Sequence, residues 1–340
     1  MNSKTKRRWP TIVTLILLGV ICTWLIISNL PTPKNYSGKN PFMKDGDLPI
    51  IVAHRGGGGE FPENTLEAFY NAYSIDENII METDVNLTKD GVLILLHNEH
   101  LDATTNVTGL VSDWNYSDLL TDRVDFGYKN PTKDEVLSGG RKYFTVNGER
   151  RFPTDVAYPD GVSARDDEIY LATTFEELLL AFPNNRMSVE IKQSGELGLK
   201  AVKEAMRLLD KYDAFDRVVL VSFHSEVYKE FLRLDKSGEA PSNFNFSLGA
   251  IEIGLFYVLV TLGIDSLFFD GVSVLQIPME RYGFDFATRD LIDITHKHNI
   301  AVFYWTINNE NDMHHLIEIG ADAIMTDKPS LLKRVLDSYK

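Results

Sequence analysis

A (β/α)8 barrel preceded by one N-terminal membrane helix is the architecture this chain predicts, and three observations carry the prediction. Short apolar, strand-like runs alternate with amphipathic, helix-like runs from about residue 48 onward, the pattern of a parallel sheet with helical crossovers. The 340 residues, 44% of them hydrophobic, leave enough chain after the N-terminus for a closed barrel of roughly 250 residues or more. Finally, His54, Glu82, Asp84, His97, Glu190, Lys192 and Trp305 all fall in or just after candidate strands. In a barrel the C-terminal strand ends converge on one face, so these side chains converge with them.

At the N-terminus, Lys4, Lys6, Arg7 and Arg8 precede an uncharged stretch whose apolar part, 12–30, approaches the roughly 20 residues that span a bilayer. Residues 1–33 therefore read as a cytoplasmic basic tip and transmembrane anchor, and the positive flank places the remainder on the extracytoplasmic side. A cleaved signal peptide is the competing reading. The stretch before Pro31 offers no small-residue cleavage pattern, and Val20 and Ile21 before Cys22 make a poor lipoprotein site. Cys22 is the only cysteine, so neither a disulfide framework nor a cysteine zinc site is available.

Residues 34–47, rich in Pro, Lys, Asn and Gly, read as a linker, and 48–340 as one catalytic domain. Candidate strands are 50–53, 79–87, 92–96, 187–191, 218–223, 271–274, 301–307 and 323–325. Candidate helices are 64–74, 175–182, 197–212, 287–298 and 312–319. Residues 125–167 break the rhythm with Gly, Pro and charge, and read as an insertion after the second barrel unit, near the functional face. The apolar run 250–262 is too short to span a bilayer and reads as a helix, either packed in the core or exposed to lipid near the barrel mouth.

The chemistry concentrates at the start of the domain. A strand ending at His54 runs into Arg55 and four glycines, a turn suited to an anion, in which the glycines allow close backbone approach. Glu82 and Asp84 lie two apart on an apolar strand, so both face the same side. Buried together they repel unless a cation sits between them, and oxygen ligands suit one divalent ion, Ca²⁺ or Mg²⁺. Glu190 and Lys192 repeat that spacing: Glu190 can complete the metal site, or the two can form an ordinary same-face salt pair. Glu63 reads first as a cap of the helix beginning near Asn64, with a metal or ligand contact as the alternative.

These segments carry a family resemblance. H-R-G at 54–56, P-E-N-T-x-x-A-F, E-x-D-V-x-x-T-K-D-G, the later His97, V-E-I-K at 189–192, F-Y-W-T-I-N-N at 303–309 and G-A-D-A-I-M-T-D-K-P at 320–329 resemble the glycerophosphodiester phosphodiesterase family in collinear order. The resemblance implies the same barrel and a metal-dependent hydrolysis of glycerophosphodiesters to sn-glycerol 3-phosphate and an alcohol. It implies His54 and His97 as the acid/base pair, Glu82, Asp84 and Glu190 as metal ligands, and Arg55 and Lys192 as substrate contacts; Trp305, at the end of an apolar strand, either walls the glycerol pocket as a substrate contact or packs in the core. The attacking oxygen is then either water or the substrate's own glycerol hydroxyl. Where the family pattern has His-Asp, this chain has His97-Asn98, a neutral amide in place of a carboxylate.

The formal charge of −15, or −19 without the four N-terminal basic residues, excludes nucleic acid as a natural partner. A small phosphodiester remains compatible if the metal, Arg55 and Lys192 make a local positive pocket. The anchor and the apolar run 250–262 favour a lysophospholipase D acting on lysophospholipids as a variant of the same reaction. A catalytically inactive membrane-anchored binding module is the reading from another class, and the retained histidines and acids argue against it. A glycosidase is weaker still, because two acids on one strand facing one way cannot flank a bond.

Overall fold

Runs such as Ile-Ile-Val-Ala and Val-Val-Leu-Val have no polar face to offer water, so they fold into a sheet covered on both sides. A computed structural model describes residues 3–121, 123–129 and 141–340 of the chain. Its barrel strands are β1 (Ile50–Ala53), β2 (Ile80–Leu87), β3 (Met187–Ile191), β4 (Val218–Val221), β5 (Asn245–Phe246), β6 (Val274–Ile277), β7 (Ala301–Tyr304) and β8 (Ala323–Thr326). All pair in parallel in the order β5-β4-β3-β2-β1-β8-β7-β6. A parallel bridge between Ser247 and Val274 joins the two ends, so the sheet curls into an eight-stranded barrel.

The principal helices are α1 (Ser3–Ser28), α2 (Leu66–Ile75), α3 (Phe175–Ala181), α4 (Gly195–Lys211), α5 (Ser225–Ser237), α6 (Ala250–Thr261), α7 (Arg289–Lys297), α8 (Glu310–Ile319) and α9 (Pro329–Asp337). From α2 onward each follows one barrel strand, which completes the (β/α)8 arrangement. Thr174 and Glu177 form a reciprocal capping box on α3, and Asn309 caps α8 by accepting from the Asp312 N–H. Helix α1 contains an 18-residue window, Thr11–Ser28, long and apolar enough to cross a membrane.

Three strand assignments differ from the sequence expectation. The run 92–96 forms a strand, Leu93–Leu95, but it pairs antiparallel with β2 and stays outside the barrel. The eighth barrel strand is instead the two-residue β5, within N-F-N-F-S, where polar residues interrupt the apolar signal. Strand β6 begins at Val274, where the expected strand 271–274 ends, and continues to Ile277, with Gln276 pointing inward and donating to Ser188 Oγ at 2.8 Å. The long excursion opens at the C-terminal end of β2 and closes at α3, inside the second β/α unit. Part of the expected insertion 125–167, residues 130–140, lies outside the described residues.

The interior is layered. Val52, Ile80, Val219, Val274, Phe303 and Ala323 fill the N-terminal end of the barrel, and Phe42 closes it from below, fully buried and edge-on to Phe303 at 6.2 Å. The expected linker 34–47 is therefore docked against the barrel. Asn40 Nδ2 donates to the carbonyls of Ser273 and Asn299, and Asn35 Nδ2 to those of Phe268 and Asp270. Pro and Asn suggested a tether by composition, but these amides bond the carbonyls at the barrel floor and fasten the segment to it. We predict that Phe42→Ala costs about 3–5 kcal/mol in denaturant unfolding of the full chain, the usual range for a phenylalanine cavity; a loss under about 1 kcal/mol would make the plug dispensable.

Candidate active site

Strand alternation builds the site. On β2, Ile80 belongs to the apolar floor, and Glu82 and Asp84 follow two and four residues further up the same inward face. The β2–β3 register sets Asp84 directly beside Glu190. Carboxylate oxygens of Glu82, Asp84 and Glu190 consequently lie within 4.8 Å of one another, and Glu82 and Asp84 are almost completely buried. Lys192 reaches back to Glu190 Oε1 at 2.9 Å and lies 3.6 Å from Asp84. The same-strand salt pair thus exists, inside a larger cluster.

The turn after β1 is tight: Arg55, Gly56 and Gly57 all take left-handed backbone conformations, with φ of 53°, 80° and 89°. This directs the Arg55 N–H at Glu82 Oε2, 2.8 Å away, while its guanidinium meets Glu63 at 3.1 Å and Asp84 at 3.2 Å. The glycines approach the chain itself. A Cβ on Gly56 would fall 2.8 Å from the Ala68 side chain on α2, and one on Gly59 would fall 2.8 Å from the Asp327 carbonyl. Gly59 N–H donates to that carbonyl at 2.9 Å, so the glycine run fastens the end of β1 to the end of β8.

That fastening brings in a residue the sequence reading missed. Asp327 Oδ1 lies 2.6 Å from His54 Nδ1. Asn308 donates from Nδ2 to Asp327 Oδ2, while its Oδ1 accepts from the Asp327 N–H and the Thr326 hydroxyl, a pattern that fixes the amide's orientation. The Asp327 carboxylate only accepts, so Nδ1 of His54 carries the proton and, in the neutral ring, Nε2 is the acceptor. Both Asp327 and Asn308 sit just beyond strand ends, the rule that found the other candidates. Glu63 is the other revision: Thr65 caps α2 by accepting from the Ala68 N–H, and Glu63 is the buried ion-pair partner of Arg55. Asn64, at φ 58°, holds Asp84 and Thr83 by hydrogen bonds.

His97 lies just beyond Leu93–Leu95, where the Leu96 N–H donates to the Asp84 carbonyl and ties the segment to β2. Its Nδ1 is 2.9 Å from Asn98 Oδ1, so the amide keeps an acceptor at the ring without supplying charge. Trp305 packs against Phe223 with ring centroids 5.8 Å apart. Its buried Nε1 has no hydrogen-bond partner among the described residues.

The electrostatics follow from crowding. Burial pushes Glu82 and Glu190 above the usual carboxylate range. Burial would do the same to Asp84, but Arg55 and Lys192 outweigh it and hold its carboxyl low. Burial alone would lower His54, yet Glu82 and the Asp327 hydrogen bond raise it overall. Burial pushes His97 down to about 4, with Arg55 and Lys192 adding to the effect against Asp84. Among the described residues, Glu63, Glu82, Asp84, Glu190 and Asp327 face two permanent cations, Arg55 and Lys192. A divalent cation between the three clustered carboxylates fits both that deficit and the hard oxygen donor set.

The family model for the glycerophosphoryl diester phosphodiesterase family matches residues 54–331. A glycerophosphodiester phosphodiesterase of Caldanaerobacter subterraneus subsp. tengcongensis is 27% identical over 83% of this chain and 96% of its own length. A human lysophospholipase D, GDPD3, is 26% identical over 85% of each chain. Among solved structures, an Oleispira antarctica phosphodiesterase in complex with the product sn-glycerol-3-phosphate superposes with a TM-score of 0.57 at 20% identity, covering 85% of this chain and 97% of that one. A glycerophosphodiester phosphodiesterase from Agrobacterium tumefaciens gives 0.56 at 18% identity, over 84% of this chain and 100% of that one. With its barrel, its collinear motifs and a family match across most of its length, the chain belongs to the glycerophosphoryl diester phosphodiesterase family.

Proposed function

We propose that this site hydrolyses glycerophosphodiesters to sn-glycerol 3-phosphate and an alcohol, with His54 and His97 as its proton-transfer pair. The observation that carries the reading is the Asp327-oriented His54 beside the buried cluster of Glu82, Asp84 and Glu190. Those three carboxylates would hold one divalent cation, Ca²⁺ or Mg²⁺, which when bound supplies Lewis-acid polarisation of a phosphoryl oxygen. Lys192 and Arg55 add fixed positive charge where the phosphodiester would sit, and their ion pairs hold them in place. His54 Nε2 and His97 Nε2 stay free because Asp327 and Asn98 occupy the two Nδ1 atoms. One imidazole takes the proton of the attacking oxygen and the other gives one to the leaving alkoxide, each step contributing about 10²–10⁴-fold. Trp305 walls the glycerol side and offers its unpartnered Nε1.

Helix α1 is read as an uncleaved anchor, its basic tip in the cytoplasm and the barrel on the extracytoplasmic side. One observation favours a lysophospholipid as the substrate. An apolar groove of about 580 Å³ runs from Phe223 and Trp305 along α6, lined by Ile253, Tyr257, Phe284 and Phe286, an apolar lining suited to an aliphatic chain.

With a divalent cation supplied, His54→Ala and His97→Ala should each lower release of choline from glycerophosphocholine by about 10²–10⁴-fold. Retention of full activity by either would remove that histidine from the reaction. Asp327 acts through His54, so Asp327→Asn should also move the His54 limb of the kcat/KM profile to lower pH, because the lost carboxylate had raised that imidazole. An unmoved limb would reduce Asp327 to a structural residue. For the groove, Gly254 on α6 lines the space and has nothing within 4 Å of a built Cβ. Gly254→Phe should leave glycerophosphocholine turnover intact and depress turnover of lysophosphatidylcholine; equal effects on both would disconnect the groove from an acyl chain.

A further inference from the structure

Helix α6 does not look like its neighbours. The outer face of α4 carries Glu196, Lys200, Lys203 and Arg207, the ordinary wet side of a barrel helix. In α6, A-I-E-I-G-L-F-Y-V-L-V-T, the only charge is Glu252 in the first turn and the only buried residue is Phe256. Ile251, Leu255, Val258 and Leu262 are at least half exposed and recur at intervals of four, three and four, a single apolar stripe along the helix and its cap. Phe269 lies past its C-terminal end, and Tyr282 and Phe284 lie on the hairpin across the groove; all three are also exposed. Contiguous apolar surface of this kind marks an interaction face.

What covers it is indicated by α1. The Trp24 indole N–H of the apolar window donates to the Leu262 carbonyl at the end of α6, at 2.8 Å. Ser266 Oγ, just beyond, donates to the Ile27 carbonyl at 3.1 Å. The helix long and apolar enough to cross a bilayer is thus fastened to one end of the stripe, and the other end, at Ala250 and Ile251, borders the groove that opens at Trp305.

We propose that α6, with Phe269 and the tip of the Tyr282 hairpin, is a bilayer-docking platform: the membrane crossed by α1 covers this face, so the barrel lies on its α6 side with the groove opening onto lipid. The proposal rests on α1 as a membrane span and is independent of the reaction chemistry. Glu252 at the mouth end, and Glu280, Arg281 and Asp285 on the hairpin, are charged groups that must stay at the polar boundary.

The full chain permits a direct test, because Cys22 is its only cysteine. With Cys22→Ser as background, Leu255→Cys or Val258→Cys would be labelled with an environment-sensitive fluorophore, and Lys203→Cys on α4 would serve as the aqueous control. The protein would be reconstituted into phosphatidylcholine/phosphatidylglycerol vesicles, with and without lipid-borne spin-label quencher. The α6 probes should emit to the blue of the control and lose most of their intensity to the lipid quencher, while the Lys203→Cys probe stays sensitive only to a water-soluble quencher. Emission matching the Lys203→Cys control would overturn the proposal. So would α6 probes shielded from both quenchers, which would mean that a second copy of the chain, and not lipid, covers the face. Hydrolysis of glycerophosphocholine measured on the same vesicles reports the reaction separately.

Discussion

Three carboxylates gathered at the centre of a low-dielectric barrel set the terms for everything around them. Glu82, Asp84 and Glu190 are brought together by strand alternation and by the β2–β3 register. Burial favours their neutral forms, and mutual repulsion adds to it. Arg55 and Lys192 offset part of this, but each is shared: Arg55 with Glu63 and Lys192 between Asp84 and Glu190. A site so acidic is poorly suited to an anionic substrate unless a further positive charge enters. The same unbalanced charge therefore supports both a bound cation and phosphodiester chemistry.

The surrounding structure holds this cluster still. Phe42 and the apolar floor close the barrel beneath it, so water reaches it only from the C-terminal face. The glycine run after β1 locks to the start of α9, which sets Asp327 against His54 and carries the ring's orientation back to Asn308 on the loop after β7. The His54–Asp327 pair and the carboxylate cluster thus come from different strands, and closing the barrel is what unites them.

Much of this was legible in the sequence. The Glu82/Asp84 spacing, its echo in Glu190/Lys192 and the strand-end histidines follow from a period of two and from the geometry of barrel strand ends. The resemblance supplied their joint meaning. Asp327, Asn308 and the role of Glu63 were missed because they depend on which strand ends become neighbours; β1 and β8 pair although His54 and Asp327 are 273 residues apart along the chain. Strand β5 escaped because two residues within a polar run leave no periodic signal, while the antiparallel Leu93–Leu95 took its place in the count. The docking of 34–47 was hidden for a similar reason: one phenylalanine and two asparagines carry it, in a composition typical of linkers.

The most direct test of the charge argument does not involve turnover. Thermal unfolding of the full chain would be compared in EDTA and in rising Ca²⁺ or Mg²⁺, for the wild type and for Glu190→Gln. A cation held by Glu82, Asp84 and Glu190 in the folded state alone should stabilise the wild type by about 2.7 kcal/mol at a hundred times its Kd, and the stabilisation should shrink or vanish in the variant. No shift with either cation, or an undiminished shift in Glu190→Gln, would contradict the three-carboxylate site.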